Sequence, residues 1–233
     1  MYKDTIFSAA AMPPYINIHT HHPEPDTLSV QNVRLSASDP EIPTSGFFSA
    51  GIHPWDAAAA EERWLTIFTA PDRYPRLLAV GEAGLDLRPA FAPRTVQEHW
   101  IERQIEIANR ICKPLIIHNV QATQALQTLL GERAAIRVVL HGFTGACETA
   151  REWIRRVPEV RFSFGPTTIR SSKTQEALRW ITTEHPDRLF LETDDDPTLS
   201  IREMYAFAAE RTGRKVDTLK RIIDQNFNAL TKR

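Results

Sequence analysis

The histidines of this sequence are concentrated where short apolar runs end. The chain has eight histidines among 233 residues. Five of them finish or directly follow a run rich in apolar, β-branched or aromatic residues, which predicts a β-strand: His19, His21, His53, His118 and His141. Imidazole is a common ligand of divalent metals. Any one of these histidines could be an ordinary core or surface residue, but their joint placement indicates a shared site.

His19 and His21 form the sharpest local signal. Residues i and i+2 of an extended strand point to the same side, so both imidazoles can reach one ion. Short H-x-H strings also arise by chance, and His22 adds a third histidine that could simply be exposed. The string alone leaves both interpretations open.

Carboxylates follow two other apolar runs. Glu82 comes directly after Val80-Gly81, where a buried carboxylate is costly unless a cation or a donor meets it. It could bridge two ions through its two oxygens, or it could form a salt bridge at a loop start. Asp194 ends the last apolar run, but Asp195 and Asp196 follow at once. We prefer Asp194 because it lies nearest the strand end.

Together these side chains predict a metal-assisted hydrolase. The set offers more donors than one ion needs and suits two divalent ions of Mg, Mn or Zn, which activate water and hold the oxygens of a scissile bond. The candidate ligands are His19, His21, Glu82, His118, His141 and Asp194.

The elements that must position these residues alternate between strands and helices. Eight apolar runs predict strands at 15–19, 28–35, 47–51, 77–80, 115–118, 136–141, 160–164 and 189–192. Helical periodicity predicts helices at 93–110, 121–130, 147–156, 174–183, 201–211 and 217–230, with a weaker candidate at 57–68. The pattern favours an α/β fold, a (β/α)₈ TIM-type barrel. No convincing helix flanks the second strand, so we expect early helices that are missing or replaced by loops. That strand could also pair antiparallel.

Composition excludes several classes of protein. Lys plus Arg is 28 and Asp plus Glu is 29, for a formal net charge of −1, which argues against nucleic-acid binding by broad electrostatics alone. No apolar run approaches the length of a membrane helix, and no apolar stretch follows Lys3, so we expect no membrane segment and no signal peptide. Two cysteines, Cys112 and Cys147, are too few for a disulfide framework, so we expect a cytoplasmic protein. Residues 1–233 are predicted to form a single domain.

Ordered motifs give the chain a family resemblance. It resembles the TatD-type metal-dependent hydrolases, a branch of the amidohydrolase superfamily whose members include deoxyribonucleases. The motifs that carry the resemblance are His19-Thr20-His21, Gly51-Ile52-His53-Pro54, Gly81-Glu82-Ala83-Gly84-Leu85-Asp86, Gln97 to Gln104, Pro114 to His118, His141-Gly142-Phe143-Thr144-Gly145, Leu191-Glu192-Thr193-Asp194, and Asn226. Each motif is weak alone, but their order over nearly the whole chain is specific.

The resemblance implies a role for each candidate. His19, His21 and Asp194 would bind a first ion, His118 and His141 a second, and Glu82 would bridge them as a metal-binding and catalytic residue. Asp194 would also orient or deprotonate the attacking water. The resemblance thus selects Asp194 as the catalytic residue among the three adjacent aspartates. His53 would bind the substrate phosphate. The resemblance implies a DNA or small phosphodiester substrate, and no obligate protein partner is evident.

Three departures from the family pattern bear on the substrate. Asn17 replaces an acid that usually precedes the first histidine, Val120 replaces an arginine that usually follows His118, and the segment after Asp194 is short. Arg88, Arg94 and Arg170 are loop residues that could replace the missing arginine, or they could be solvated surface charges. We therefore keep two alternatives: a metallohydrolase of an amide, lactone or small phosphoester, and a non-catalytic metal-binding relative.

Overall fold

Eight parallel strands form the centre of the molecule. The computed structural model describes residues 12–37 and 39–231, so Lys3, on which the expectation about a signal peptide rests, lies outside the described residues. Neighbouring strands follow chain order, and all seven neighbouring pairs are parallel. The strands are β1 (Ile16–Thr20), β2 (Leu28–Arg34), β3 (Phe47–Gly51), β4 (Leu77–Asp86), β5 (Leu115–Val120), β6 (Val138–Leu140), β7 (Val160–Phe164) and β8 (Leu189–Leu191).

The sheet closes on itself between its first and last strands. The backbone N–H of His21 donates to the carbonyl of Asp194 at 2.9 Å, and the N–H of Asp194 donates to the carbonyl of His19 at 3.2 Å. A parallel bridge between Thr20 and Asp194 lies at the same place. These contacts confirm the predicted barrel, and they join two predicted metal-binding segments directly.

Helices cover only part of the barrel. The α-helices are α1 (Arg94–Ile111), α2 (Thr123–Arg133), α3 (Cys147–Arg156), α4 (Pro166–Ile169), α5 (Ser172–Glu184), α6 (Ile201–Thr212) and α7 (Val216–Thr231). Among the described residues, loops alone connect β1 to β2 and β2 to β3, which confirms that the early helices are missing. None of the helices in these ranges is long and apolar enough to cross a membrane.

The second strand is parallel to both neighbours, so the antiparallel alternative is wrong. Ile16 pairs with Leu28 on one side of β2, and Val30 pairs with Phe47 on the other. The short connection over residues 21–27 is sufficient because no helix has to fit within it. The barrel thus keeps a complete ring of strands where its outer layer is incomplete.

The segment 57–68 is not an α-helix. The structure has a 3₁₀-helix over Glu62–Phe68 within that segment, and a 3₁₀ turn over Pro54–Asp56 precedes it. A 3₁₀-helix places residues i and i+3 on the same side, and the pairs Trp64/Ile67 and Leu65/Phe68 are all buried. Burial of these two pairs in a short connection explains why the weak α-helical pattern is overridden.

The fourth strand is longer than predicted. It continues past Val80 to Asp86 and is buried along its whole length. Gly81 (φ +139°) and Gly84 (φ +151°) allow this, because a Cβ at these positions would lie 2.3 Å from the Ile116 carbonyl oxygen and 2.0 Å from that of His118. The glycines therefore bring β4 against β5 rather than ending the strand, and Glu82 faces the barrel interior.

Candidate metal centre

The six predicted ligands and His53 come together at one end of the barrel. They lie on β1, β4 and β5 or just after β1, β3, β6 and β8, at or near the carboxyl ends of the strands. Active sites of this barrel type lie at that end. Three groups of ligand atoms there are close enough to hold a metal ion, all atoms of a group lying within 4.8 Å of one another: His19, His21 and Glu82; His19, His141 and Asp194; His53, Glu82 and His118.

Glu82 occupies the middle of the cluster, and its two oxygens face different histidines. Oε1 lies 2.7 Å from Nδ1 of His118 and 2.7 Å from Nε2 of His141. Oε2 lies 3.6 Å from Nε2 of His19 and 4.0 Å from Nε2 of His21. This division matches the two pairs of histidines that the resemblance assigns to different ions.

His19 is fully buried, yet within the described chain neither of its ring nitrogens has a hydrogen-bond partner. Its Nε2 lies 3.5 Å from Oδ1 of Asp194 and 3.6 Å from Oε2 of Glu82. A buried imidazole is normally paired, and a cation between these three groups would satisfy it. The nitrogen and oxygen donors present suit divalent Zn or Mn, and the carboxylates suit Mg.

Asp194 is the only member of its acidic triplet that contacts the cluster among the described residues. Its Oδ1 also lies 3.9 Å from Nε2 of His21. Asp195 instead contacts His22 at 3.0 Å, and Asp196 accepts hydrogen bonds from the backbone of Thr198 and Leu199. Of the three acids, Asp194 is therefore the one that lies at the cluster, and its role as a ligand stays a prediction.

Electrostatics keep both central carboxylates ionised. Burial by itself would raise the pKa of Glu82, but the charge of His141 and hydrogen bonds from His118 and His141 lower it well below its usual range. Burial opposes ionisation of Asp194 as well, and the contact with His19 and the charge of His141 outweigh it, lowering its pKa to about 2. Both groups are therefore anionic at neutral pH.

The hydrogen bonds of His53 leave its Nε2–H as the donor of the ring. Its Nδ1 accepts the backbone N–H of Trp55 at 3.1 Å, so its proton must be on Nε2. That nitrogen lies 3.2 Å from Oε1 of Glu82. Burial lowers the pKa of His53, although Glu82 opposes the shift. A neutral histidine that presents an N–H at the cluster is suited to hydrogen-bond an anionic substrate, and the substrate-binding role of His53 stays a prediction.

Two supporting residues escaped the sequence analysis. Asn32 on β2 accepts the backbone N–H of Glu82 at 3.2 Å, and its amide lies 3.4 Å from Oε2 of that glutamate. Glu192 is fully buried; its Oε1 accepts the N–H of Gly142 at 2.6 Å and lies 3.5 Å from Nδ1 of His141. Carboxylates in this position fix the ring orientation of a metal-binding histidine. Asn32 on β2 and Glu192 directly after β8 are polar residues next to apolar ones, and the sequence alone gives no further sign of their contacts.

The structure also shows the contacts of two of the three departures, Asn17 and Val120. Asn17 is buried and holds β8, because its amide donates to Oγ1 of Thr193 at 2.8 Å and its oxygen accepts the N–H of Thr193 at 3.2 Å. Val120 ends β5 and pairs in register with Asp86.

The loop arginines differ in their surroundings. Arg88 contacts Asp86 at 2.5 Å and so lies beside the position where the family arginine is absent. Arg94 instead pairs with Glu98 on the surface of α1, and Arg170 ends the short α4 segment near Asp196. Of the three candidates, Arg88 is the one with a contact that ties it to the cluster, through Asp86 and its 3.4 Å contact with His118.

Comparison with known proteins places this architecture in a family. The sequence profile of the family described as TatD related DNase matches residues 16–232. An uncharacterized metal-dependent hydrolase of Bacillus subtilis, YabD, is 34% identical over 151 residues, 64% of this chain and 58% of that protein. The 3'-5' ssDNA/RNA exonuclease TatD of Cronobacter turicensis is 31% identical over 165 residues, 70% of this chain and 62% of that protein. The chain thus spans about three fifths of the length of these relatives.

A solved structure supports the fold. YJJV, a TatD homologue from Escherichia coli K12, superposes with a TM-score of 0.75 at 20% sequence identity, over 93% of this chain and 97% of that one. At this level of identity the similarity establishes the barrel architecture alone.

Proposed function

The chain belongs to the family of TatD-related deoxyribonucleases, and on that premise we propose that it is a divalent-metal-dependent phosphodiesterase that hydrolyses DNA. The observation that supports this most directly is the division of Glu82, whose two oxygens face separate pairs of histidines. A carboxylate in that position suits two ions a few ångströms apart, the arrangement that holds both the attacking and leaving oxygens of a phosphodiester.

In this proposal His19, His21 and Asp194 would hold one ion, His118 and His141 would hold the other, and Glu82 would serve both. When bound, the two divalent cations would supply Lewis-acid stabilisation of the phosphoryl oxygens and lower the pKa of the attacking water. The donor set fits such ions, because buried His19 lacks hydrogen-bond partners within the described chain and, in each of three groups of three residues, the ligand atoms lie within 4.8 Å of one another.

The remaining chemistry belongs to the side chains. Asp194 is ionised at neutral pH, so it orients the attacking water and accepts its proton. His53 would donate its Nε2–H to a phosphate oxygen of the bound substrate in place of Oε1 of Glu82. The water oxygen bonds to phosphorus as the bond to the leaving oxygen breaks, and the leaving oxygen takes a proton from solvent and departs as an alcohol. Asn32 and Glu192 hold Glu82 and His141 in orientation.

A hydrolase of an amide, lactone or small phosphoester is the second candidate. Val120 supports it, because the family's phosphate-binding arginine is absent from that position. Arg88 supports the first candidate, since it supplies a guanidinium next to the register partner of Val120. The third alternative, a non-catalytic relative, has less support because no predicted ligand is missing from the cluster.

The test is activity of the purified protein on single-stranded DNA with added Mg²⁺ or Mn²⁺, beside bis-p-nitrophenyl phosphate. We expect metal-dependent cleavage of both, abolished by EDTA and strongly reduced in Asp194→Asn. Metal-loaded protein that cleaves neither phosphodiester would contradict the proposal and leave the amide or lactone hydrolase as the leading candidate.

We further propose that residues 1–233 act as one domain in the cytoplasm without an obligate protein partner. Unpaired Cys112 and Cys147 support a reducing compartment.

A further inference from the structure

Trp55 presents an exposed aromatic surface beside the metal centre. It is 42% exposed, and it is one of three large apolar side chains exposed in the described part of the chain, with Met12 and Ile169. Its ring lies 4.6 Å from that of His53 and 6.2 Å from that of His118, centroid to centroid. The indole is therefore a direct neighbour of two groups at the candidate site.

The indole is held rigidly despite its exposure. It stacks on Phe91 with ring centroids 5.1 Å apart and an angle of 6° between the planes. Its Nε1–H donates to Oδ2 of buried Asp86 at 2.7 Å. A ring fixed by a parallel aromatic neighbour and by a short hydrogen bond loses little conformational entropy when a ligand stacks on it.

Two arginines flank this aromatic pair. The guanidinium carbon of Arg34 lies 5.5 Å from the Trp55 ring centroid, and that of Arg88 lies 5.7 Å from it and 5.1 Å from Phe91. Each arginine is anchored by a carboxylate, Arg34 by Asp56 and Arg88 by Asp86. The anchors hold the guanidinium groups next to the aromatic pair, where they can contact the phosphates on either side of a stacked base.

We propose that Trp55 and Phe91, flanked by Arg34 and Arg88, form a stacking platform that holds an unpaired nucleobase of the substrate next to the metal centre. The inference rests on the proposed function in that nucleic acid is the occupant. Aromatic faces combined with arginine are the usual means of binding single strands with little sequence preference. Bases within a duplex are already stacked and paired, so the platform selects single-stranded or unpaired ends.

The platform also provides substrate contacts that could compensate for the missing arginine at position 120. Val120 at the barrel mouth offers no charge to a phosphate. The platform offers a surface for base stacking and two guanidinium groups instead. The substrate is then bound beside the metal centre through a base as well as through phosphate. A site for a small phosphoester would bind through phosphate alone.

Equilibrium binding tests the platform without requiring hydrolysis. Fluorescence anisotropy with Ca²⁺ present would compare a labelled dT decamer with a decamer of tetrahydrofuran abasic units, which has the same phosphates but no bases. We expect wild-type protein to bind the dT decamer about tenfold or more tightly than the abasic one. Trp55→Leu should bind both alike, whereas Trp55→Phe, which keeps an aromatic face, should retain most of the preference.

Trp180→Leu is the matched control. Trp180 is also a partly exposed tryptophan under an arginine, Arg151 at 4.8 Å, but it lies on α5 outside the barrel. It should bind both decamers as wild type does. Metal content of all variants checks that the centre itself is intact.

Several outcomes would overturn the inference. These are equal wild-type affinity for the two decamers, no wild-type binding of the dT decamer, or a Trp55→Leu protein that keeps the preference. Base-dependent binding through Trp55 without any cleavage in Mg²⁺ or Mn²⁺ would contradict the proposed hydrolase activity alone and would support the platform.

Discussion

The side-chain oxygen of Asn32 accepts a 3.2 Å hydrogen bond from the backbone N–H of Glu82, and the Asn32 amide lies 3.4 Å from Oε2 of that glutamate. One residue thus fixes both the backbone and one carboxylate oxygen of the group that faces both histidine pairs. The orientation of Glu82 depends on a neighbour from a strand that has no predicted ligand of its own.

Asn32→Ala should weaken metal binding by about 10- to 100-fold, the usual effect of removing a partner that orients a ligand. It also leaves the buried N–H of Glu82 unpaired, which costs about 1–3 kcal/mol of unfolding free energy. Metal titration and thermal unfolding measure the two effects.

Asn109→Ala separates these effects. Asn109 also holds backbone groups in both directions, those of Arg133 and Ala135, but it lies at the end of α1 away from the cluster. We expect a loss of stability with unchanged metal affinity. If Asn32→Ala lowers stability alone, its orienting role is wrong.

Glu82→Gln should lower metal occupancy at both positions, since one carboxylate serves two sets of histidines. Wild-type protein is expected to bind about two divalent ions per chain, counted by elemental analysis after desalting. Chelation should lower the melting temperature of wild type by roughly 5–10 °C when the ions had been present at about 100 times their dissociation constant. A Glu82→Gln protein with unchanged metal content would remove Glu82 from the bridging position.

Asp194→Asn should reduce hydrolysis by a general-base factor of roughly 10²–10⁴ with the fold preserved. Asp195→Asn and Asp196→Asn serve as neighbouring controls with small effects, because Asp195 contacts His22 and Asp196 binds a turn. Initial rates of hydrolysis of single-stranded DNA, compared among the three variants and wild type, test this prediction. An inactive Asp196→Asn beside an active Asp194→Asn would show that the strand end was assigned wrongly.

Val120→Arg should lower the Michaelis constant for DNA by about tenfold, since a charge-assisted hydrogen bond to phosphate contributes about 1.5–3 kcal/mol. Residue 120 lies two positions after His118 on β5 and so points to the same side, towards the barrel mouth. If the contact is equally strong in the ground and transition states, kcat stays unchanged.

Val120→Met is the control for size without charge and should behave as wild type. An unchanged Michaelis constant in Val120→Arg would mean that substrate phosphates do not approach this position.

Much of the fold could be predicted because the candidate ligands lie at the ends of apolar runs that form strands. Apolar runs ending in histidine located β1, β5 and β6 as well as their site residues, and the family motifs selected Asp194 from three adjacent acids. The extent of β4 could not be predicted, because Gly81 and Gly84 suggest a strand end when the neighbouring backbone that they accommodate is unknown.

Residues that act through other residues were the ones missed. Nothing in the local sequence distinguishes Asn32 or Glu192 from any polar residue on a strand, since their partners Glu82 and His141 are about 50 residues away in the chain. Trp55 was missed for a related reason: its exposure depends on how the turns after β3 pack. Local patterns identify a ligand, whereas its support arises only from tertiary contacts.

The closure of the barrel between β1 and β8 has a consequence for synthesis of the protein. Asn17 and Thr193, which are hydrogen-bonded, lie 176 residues apart, and the neighbouring His19 and Asp194 meet only across the same seam. On the ribosome, His19 emerges long before Asp194 does, so a nascent chain cannot assemble the proposed first ion site until β8 and the residues just after it have been translated. The complete set of donors proposed for that site therefore first exists when β8 can pair with β1 and close the ring of strands.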